Sequence, residues 1–255
     1  MGILPNTACT LLREHMRRPF RGSVLVLGKQ DTYMSWESLQ YMALKLGALL
    51  TSLPEEEIEL SPKPWSVTSR YITDTTFFKA LGFSRVDSMD YSDYEGADLI
   101  HDLNHIVPEK YFDSYDAIYD GGTCEHIFHV PNFLTSVCLM LRINGRIIHD
   151  NPSAGLIDHG FYNISPTLYY DYYNANGFEI NKLSVFRQDK DLMITSLFEE
   201  LEYHAGEYDF HKCYLPDNKL YCTTCIATKL KAFEKCLYPQ QSIWSRLEGM
   251  RSVKR

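Results

Sequence analysis

The sequence predicts an α/β protein with a doubly wound, mostly parallel sheet covered by helices on both faces. Three observations predict it. Short β-rich runs alternate with segments of helical periodicity from residue 22 to about residue 185, as in βαβ units joined by right-handed crossovers. Tyr115 to His126 (YDAIYDGGTCEH) reads as a buried strand ending in a carboxylate, two glycines and the polar start of a helix. Two similar strand ends lie upstream: VLVLG at Val24 to Gly28, followed by Lys29, Gln30 and Asp31, and ADLIHDL at Ala97 to Leu103, with His101 and Asp102. Open α/β sheets hold ligands at such strand tips.

The elements follow in order. Leu4 to Met16 has apolar spacing suited to a short helix, which Pro19, Arg21 and Gly22 end. Val24 to Leu27, bounded by Gly22 and Gly28, has the continuous apolar character of a strand buried on both faces. Ser35 can cap a helix from Trp36 to Leu50, where Leu39, Met42, Ala43, Leu46, Leu49 and Leu50 recur at helical spacing. Pro54 to Pro64 (PEEEIELSPKP) breaks the pattern with charge and proline and reads as an exposed insertion, extending to about residue 74. Asp74 caps a short helix through Phe77, Phe78 and Leu81 that Gly82 closes.

Strands are expected at Arg85 to Met89, Asp98 to His101, Ala117 to Tyr119 and Arg146 to His149, with an amphipathic helix from Phe128 to Leu141. Asn151 to Pro166 (NPSAGLIDHGFYNISP) lacks periodicity and reads as a long loop, a length that is often functional inside a compact domain. A helix at Thr167 to Ala175 leads into Phe178 to Phe186. That run and Tyr221 to Lys229 are further strand candidates, whereas residues 190 to 215 show no clear phase. Residues 1 to 255 are expected to form one domain, with a C-terminal elaboration from about residue 187.

Composition narrows the function classes. With 25 Lys and Arg against 33 Asp and Glu, the formal charge of -8 argues against a nucleic-acid-binding surface. Arg13, Arg17, Arg18 and Arg21, and Arg251, Lys254 and Arg255, read as a solvated face and a terminus. No apolar run approaches the roughly 20 residues that cross a bilayer, and no signal-peptide core opens the chain, so a soluble cytoplasmic protein is expected. Seven cysteines without a secretion signal favour reduced thiols. Cys222 and Cys225 form a CxxC, but they sit in a β-branched run with no second pair, so core packing is the expectation.

On these strand ends, the region from residue 22 to residue 185 resembles the class I S-adenosylmethionine-dependent methyltransferases. The resemblance implies a seven-stranded sheet, with Phe178 to Phe186 and Tyr221 to Lys229 as its last strands, one of them antiparallel. It also implies S-adenosylmethionine lying across the strand tips and a small-molecule acceptor. Gly28 opens the loop where the family carries several glycines. Here Lys29 to Thr32 replace the others, which leaves Gln30 and Asp31 to bond the donor's amino-acid end. Asp90, with Asp87 and Asp93 as competitors, stands where the family places an acid on the ribose hydroxyls, and Tyr91 could cover the adenine. Asp102 and Leu103 match the adenine-reading position, and Asp120, Gly121 and Gly122 run beside the methionine part.

Thr123, Glu125 and His126 would open a helix beneath the reactive centre. Glu125 reads as a first-turn carboxylate favoured by the helix dipole, and His126 as a group able to orient or deprotonate the acceptor. In the later loop, Asp158, His159, Gly160, Phe161 and Tyr162 form a second cluster, with His159 as the expected general base and Tyr162 beside it. Tyr169, Tyr170, Tyr172 and Tyr173 are expected to wall the pocket or pack the core. His126, His129, His149, Asp150, Asp158 and His159 could approach one another, but they lack a recognised ligand spacing and no metal is assigned.

The expected reaction is methyl transfer to an oxygen of a sugar, nucleotide-linked or phosphorylated metabolite, with nitrogen as second choice. The alternative is a non-catalytic binding protein on the same scaffold, since fold does not establish activity. A nicotinamide-dependent oxidoreductase lacks its glycine fingerprint.

Overall fold

A computed structural model describes residues 2–189, 198–205 and 219–242. Its centre is one eight-stranded sheet in the order β3-β2-β1-β4-β5-β8-β6-β7. The strands are β1 (Ser23–Leu27), β2 (Arg85–Asp90), β3 (Leu99–Ile100), β4 (Tyr115–Asp120), β5 (Leu141–Ala154), β6 (Phe178–Asp189), β7 (Glu199–Glu202) and β8 (Lys219–Lys229). β1 to β5 are mutually parallel, and β8 runs antiparallel between β5 and β6. The mostly parallel, doubly wound sheet expected from the sequence is therefore present, with one strand more than the seven expected.

The extra strand is β7, which pairs with the end of β6. Its sequence, EELE, carries no β-rich pattern, and it lies in the stretch without clear phase. Charge suits an edge strand, because it discourages pairing with another chain. Arg187 and Lys182 on β6 form ion pairs with Glu199 and Glu200. Residues 190–197 and 206–215 of that stretch, and the Arg251, Lys254 and Arg255 cluster, lie outside the described residues.

Alternation along β1 shows why the apolar run is continuous. Val24 and Val26 join one core cluster with Leu11 and Leu12 of α1 (Pro5–Arg17), Leu39 and Ala43 of α2 (Trp36–Leu46), and Phe77 and Phe78 of α3 (Asp74–Ala80). Leu25 and Leu27 join the opposite cluster with Phe133 and Val137 of α4 (Val130–Met140) and Tyr169 and Tyr173 of α5 (Pro166–Ala175). Successive side chains of a strand point to opposite faces, so a strand covered on both sides needs apolar residues at every position. Truncating Leu25 or Leu27 to Ala would cost about 2–5 kcal/mol.

Several boundaries differ from the sequence reading for physical reasons. α2 stops at Leu46 because Gly47, at φ 76, forms a left-handed cap before Leu49 and Leu50. Thr73, whose hydroxyl accepts from Thr76 N, caps α3, while Asp74 instead receives the Gln30 and Thr75 amides. No α-helix opens at Thr123. Cys124–His126 form a single 3-10 turn, and α4 begins at Val130 under the His129 ring. β5 continues to Ala154, so the first residues of the expected long loop extend the sheet against β8. Cys222 and Cys225, buried and three residues apart on β8, project to opposite faces and do not form a common site.

A buried ion pair anchors α1 to the sheet. Arg146 on β5 donates to Glu14 Oε1 at 2.7 Å and to the Arg18 carbonyl, and it lies over the Phe20 ring. Among the described residues, no helix is long and apolar enough to cross a membrane.

Candidate active site

β1 is the point where the strand order reverses, since β2 and β3 lie on one side of it and β4 and β5 on the other. A crevice forms outside the carboxyl ends of strands at such a point. A cleft of about 460 Å3 opens there. Its walls come from the β1 tip (Gly28, Lys29, Gln30 and Asp31), the β2 tip (Asp90 and Tyr91), the segment after β3 (His101 to Asn104), and Gly122, Thr123 and His126 after β4.

Gly28 makes the β1 turn at φ 69, in the region that favours glycine, and a Cβ there would lie 3.2 Å from Thr123 Oγ1. Gln30 is buried. Its amide nitrogen donates to the Leu27 and Gly28 carbonyls, and its Oε1 is buried without a partner. Lys63 crosses the mouth of the cleft from the 54–74 insertion and donates to Asp31 and Glu95 at 2.8 Å each. Partial burial works against its charge, but those two carboxylates outweigh it and raise its pKa.

Asp90 and Asp102 reach the cleft with oxygens to spare. Asp90 Oδ1 accepts from Tyr91 N at 2.6 Å, and its other oxygen is beside Gly28. Asp102 Oδ1 accepts from the backbone and side-chain nitrogens of Asn104, and these bonds hold its pKa below the usual carboxylate value. Leu103 forms a buried wall, and Tyr91 is a largely exposed rim.

Two residues expected at the cofactor lie elsewhere. Asp120 is completely buried. Its Oδ1 accepts from Thr123 N and Cys124 N, and its Oδ2 accepts from His149 Nδ1 and Asn151 Nδ2. It is thus an internal carboxylate beneath the cleft floor and not a wall of the cleft. Gly121 is absent from the cleft wall as well, packing against Gln30 and Tyr119, whereas Gly122 lines it.

Asp120 belongs to a buried polar chain. Tyr173 Oη donates to His149 Nε2 at 2.6 Å, and His149 Nδ1 donates to Asp120 at 2.7 Å. Asn151 Nδ2 donates to Asp120 Oδ2 at 3.1 Å and to Glu125 Oε2 at 3.0 Å, while Tyr169 Oη donates to Asn151 Oδ1 at 2.6 Å. Burial pushes the Tyr169 and Tyr173 hydroxyls far up, so both remain protonated donors. The tyrosines expected as walls or core therefore include two that orient this chain.

At the outer end of that chain, Glu125 meets the two histidines. Its carboxyl is fully buried, and burial together with the nearby Asp120 charge raises its pKa to about 7. His159 Nε2 lies 3.5 Å and His126 Nε2 4.0 Å from Glu125 Oε1, and the imidazole centroids are 4.9 Å apart. Burial lowers both histidine pKa values, favouring neutral rings. The loop carrying His159 docks on the Glu125 carbonyl, which accepts from Phe161 N and Tyr162 N. The approach is so close that a Cβ on Gly160 would lie 2.8 Å from that oxygen. His126 and His159, read from the sequence in separate clusters, thus meet in the structure. Tyr162 is turned away, and its hydroxyl donates to the Phe128 carbonyl at 2.8 Å. Glu125, read from sequence as a plain first-turn carboxylate, is the centre of the cluster.

A second cavity, of about 510 Å3, lies between α1 and β6–β7, away from the parallel strand tips. Its charges pair across it, Glu200 with Arg13 and Lys182.

No protein-family model matches the chain, and no curated protein sequence matches it significantly. Solved structures do resemble it. One is the 1,6-didemethyltoxoflavin-N1-methyltransferase of Burkholderia thailandensis with bound S-adenosylhomocysteine, at 13% identity and TM-score 0.42, covering 88% of this chain and 77% of that one. A SAM-dependent methyltransferase from Archaeoglobus fulgidus gives 10% identity and TM-score 0.45, covering 87% and 92%. The branched-chain polyamine synthase of Thermus thermophilus gives 14% identity and TM-score 0.42, covering 92% and 57%. At these levels the likenesses assign nothing to individual residues. The strand order, five parallel strands followed by the inserted antiparallel β8, gives an α/β fold like that of the class I methyltransferases.

Proposed function

We propose that this protein transfers a methyl group from S-adenosylmethionine to an oxygen of a small polar acceptor, with nitrogen as second choice. The observation carrying the proposal is one cleft at the strand reversal that joins Asp90, Asp102 and the Gly28 turn to His126. Its volume falls in the roughly 300–1,000 Å3 range of small-molecule sites.

The residues present fit the donor. Asp90 has a free oxygen for the ribose hydroxyls, and Asp102, Leu103 and Tyr91 surround an adenine position. Gln30 and Asp31 line the cleft at the β1 tip, where the Asp31 carboxylate suits an ammonium group at the amino-acid end. When bound, the donor supplies a methyl group on a positively charged sulfur.

Transfer requires the acceptor atom to lie in line with the carbon–sulfur bond. In that transfer the acceptor hydroxyl would exchange its proton for the methyl group, and the proton would pass to His126 or to water. His126 lines the cleft and is the group placed to orient that hydroxyl and lower the cost of losing the proton, with Glu125 and His159 packed behind its ring. Gly122 keeps the neighbouring wall free of a side chain.

Calorimetry with S-adenosylhomocysteine tests the proposal. One saturable site is expected. A folded sample with no binding at millimolar ligand would reject methyl transfer in favour of a non-catalytic binding scaffold.

A further inference from the structure

We infer that Glu125, His126 and His159 bind a divalent transition-metal ion at the acceptor end of the cleft. One donor atom from each lies within 4.8 Å of the other two. A zinc-like ion binds nitrogen and oxygen donors at about 2.0–2.2 Å, which places neighbouring donors about 3–3.5 Å apart. The Glu125–His159 separation of 3.5 Å already meets this, and the 4.0 Å to His126 needs only a small ring rotation.

Unsatisfied valence points the same way. Glu125 Oε1 and His159 Nε2 are both buried without a hydrogen-bond partner. Glu125 itself is completely buried, so leaving its oxygen unpaired carries the full desolvation penalty of the group. A cation shared by the three groups removes that cost. Glu125 Oε2 is held by Asn151, whose own carbonyl is fixed by Tyr169, so Oε1 is aimed at the histidines. Such outer support orients metal-binding carboxylates.

The donor set selects the class of ion. Two imidazoles and one carboxylate suit zinc, manganese, iron(II) or cobalt(II) and leave positions open, whereas magnesium and calcium prefer oxygen donors throughout. His126 lines the cleft, so an ion held by the three groups lies at its edge, with Glu125 and His159 behind. A metal-bound hydroxyl or pair of vicinal oxygens would have its pKa lowered there, with the proton released to water. This role rests on the methyl-transfer proposal, but the metal site itself does not.

The two histidine roles are mutually exclusive, because a nitrogen bound to a metal has no lone pair left to accept a proton. Metal-stripped full-length protein titrated with cobalt(II) separates them. One saturable equivalent is expected, with visible absorption typical of nitrogen and oxygen ligation. Affinity should fall at least tenfold in His126→Ala, His159→Ala and Glu125→Gln, and stay within twofold in His105→Ala, whose ring is exposed outside the cleft wall. If Glu125→Gln fails to fold, the histidine variants carry the test. Absence of a saturable equivalent in the wild type, or undiminished binding in the folded histidine variants, overturns the inference. S-adenosylhomocysteine titrations on the same samples keep the proposals apart. Cobalt binding without nucleoside binding defeats methyl transfer alone, and the reverse defeats the metal site alone.

Discussion

Asp90→Asn isolates the cofactor contact with the least disturbance. Asp90 is half-buried at the β2 tip, and Oδ1 accepts from Tyr91 N at 2.6 Å. An asparagine carbonyl can keep that bond, but it places an uncharged amide where Oδ2 faced the cleft. One hydrogen bond to a charged acceptor contributes about 1.5–3 kcal/mol. At about 1.4 kcal/mol per tenfold, affinity for S-adenosylhomocysteine should fall roughly 10- to 100-fold. Stability should change by no more than about 0.5 kcal/mol, because no buried partner is orphaned. The assay is paired calorimetric titration of wild type and variant at one ionic strength, with thermal melts of the same samples. Affinity within twofold of wild type, with unchanged melting, would refute the ribose assignment of Asp90.

Glu14→Gln should lower unfolding free energy by about 3–5 kcal/mol in urea, because it leaves the buried Arg146 charge without its counter-ion. Burial alone would raise the Glu14 pKa, but hydrogen bonds from Arg17 and Arg146 outweigh it and lower the value below 4.5. The wild-type advantage should therefore be full above that ordinary value and shrink as pH falls through the lower folded value; a constant gap down to pH about 2 would contradict it. Gly28→Ala should cost about 1–2 kcal/mol from the φ of 69 and also weaken S-adenosylhomocysteine binding, since the added methyl crowds Thr123 at the cleft wall. Wild-type melting and affinity in that variant would show that the turn tolerates a side chain.

Much of the frame was legible in the residues. Val24 to Leu27 announced a strand buried on both faces because every position is apolar, and both core clusters use it. Asp90 and Asp102 were legible as cleft residues because one closes a recognisable strand and the other stands just past one. Asp120 sits at an equally recognisable end, yet its side chain shares a face with His149, its register partner on β5. Register between parallel strands depends on residues far apart in the chain, and nothing local to Asp120 reveals it. The Asn151 bridge and the Tyr169 and Tyr173 donors were hidden for the same reason. Thr123 looked like the opening of a helix, but its hydroxyl donates to the carbonyl of Leu27, 96 positions away. The Glu125 cluster was half legible. His126 and His159 stood out as titratable groups, while Glu125 looked ordinary until the Gly160 loop came down on its carbonyl.

A crystal structure of the protein with S-adenosylhomocysteine tests the central claim most directly. Density should place the ribose hydroxyls on Asp90, the adenine between Tyr91 and the Asp102–Leu103 segment, and the sulfur facing Gly122 toward His126. A ligand seated outside this cleft, or one whose ribose leaves Asp90 untouched, would contradict the account.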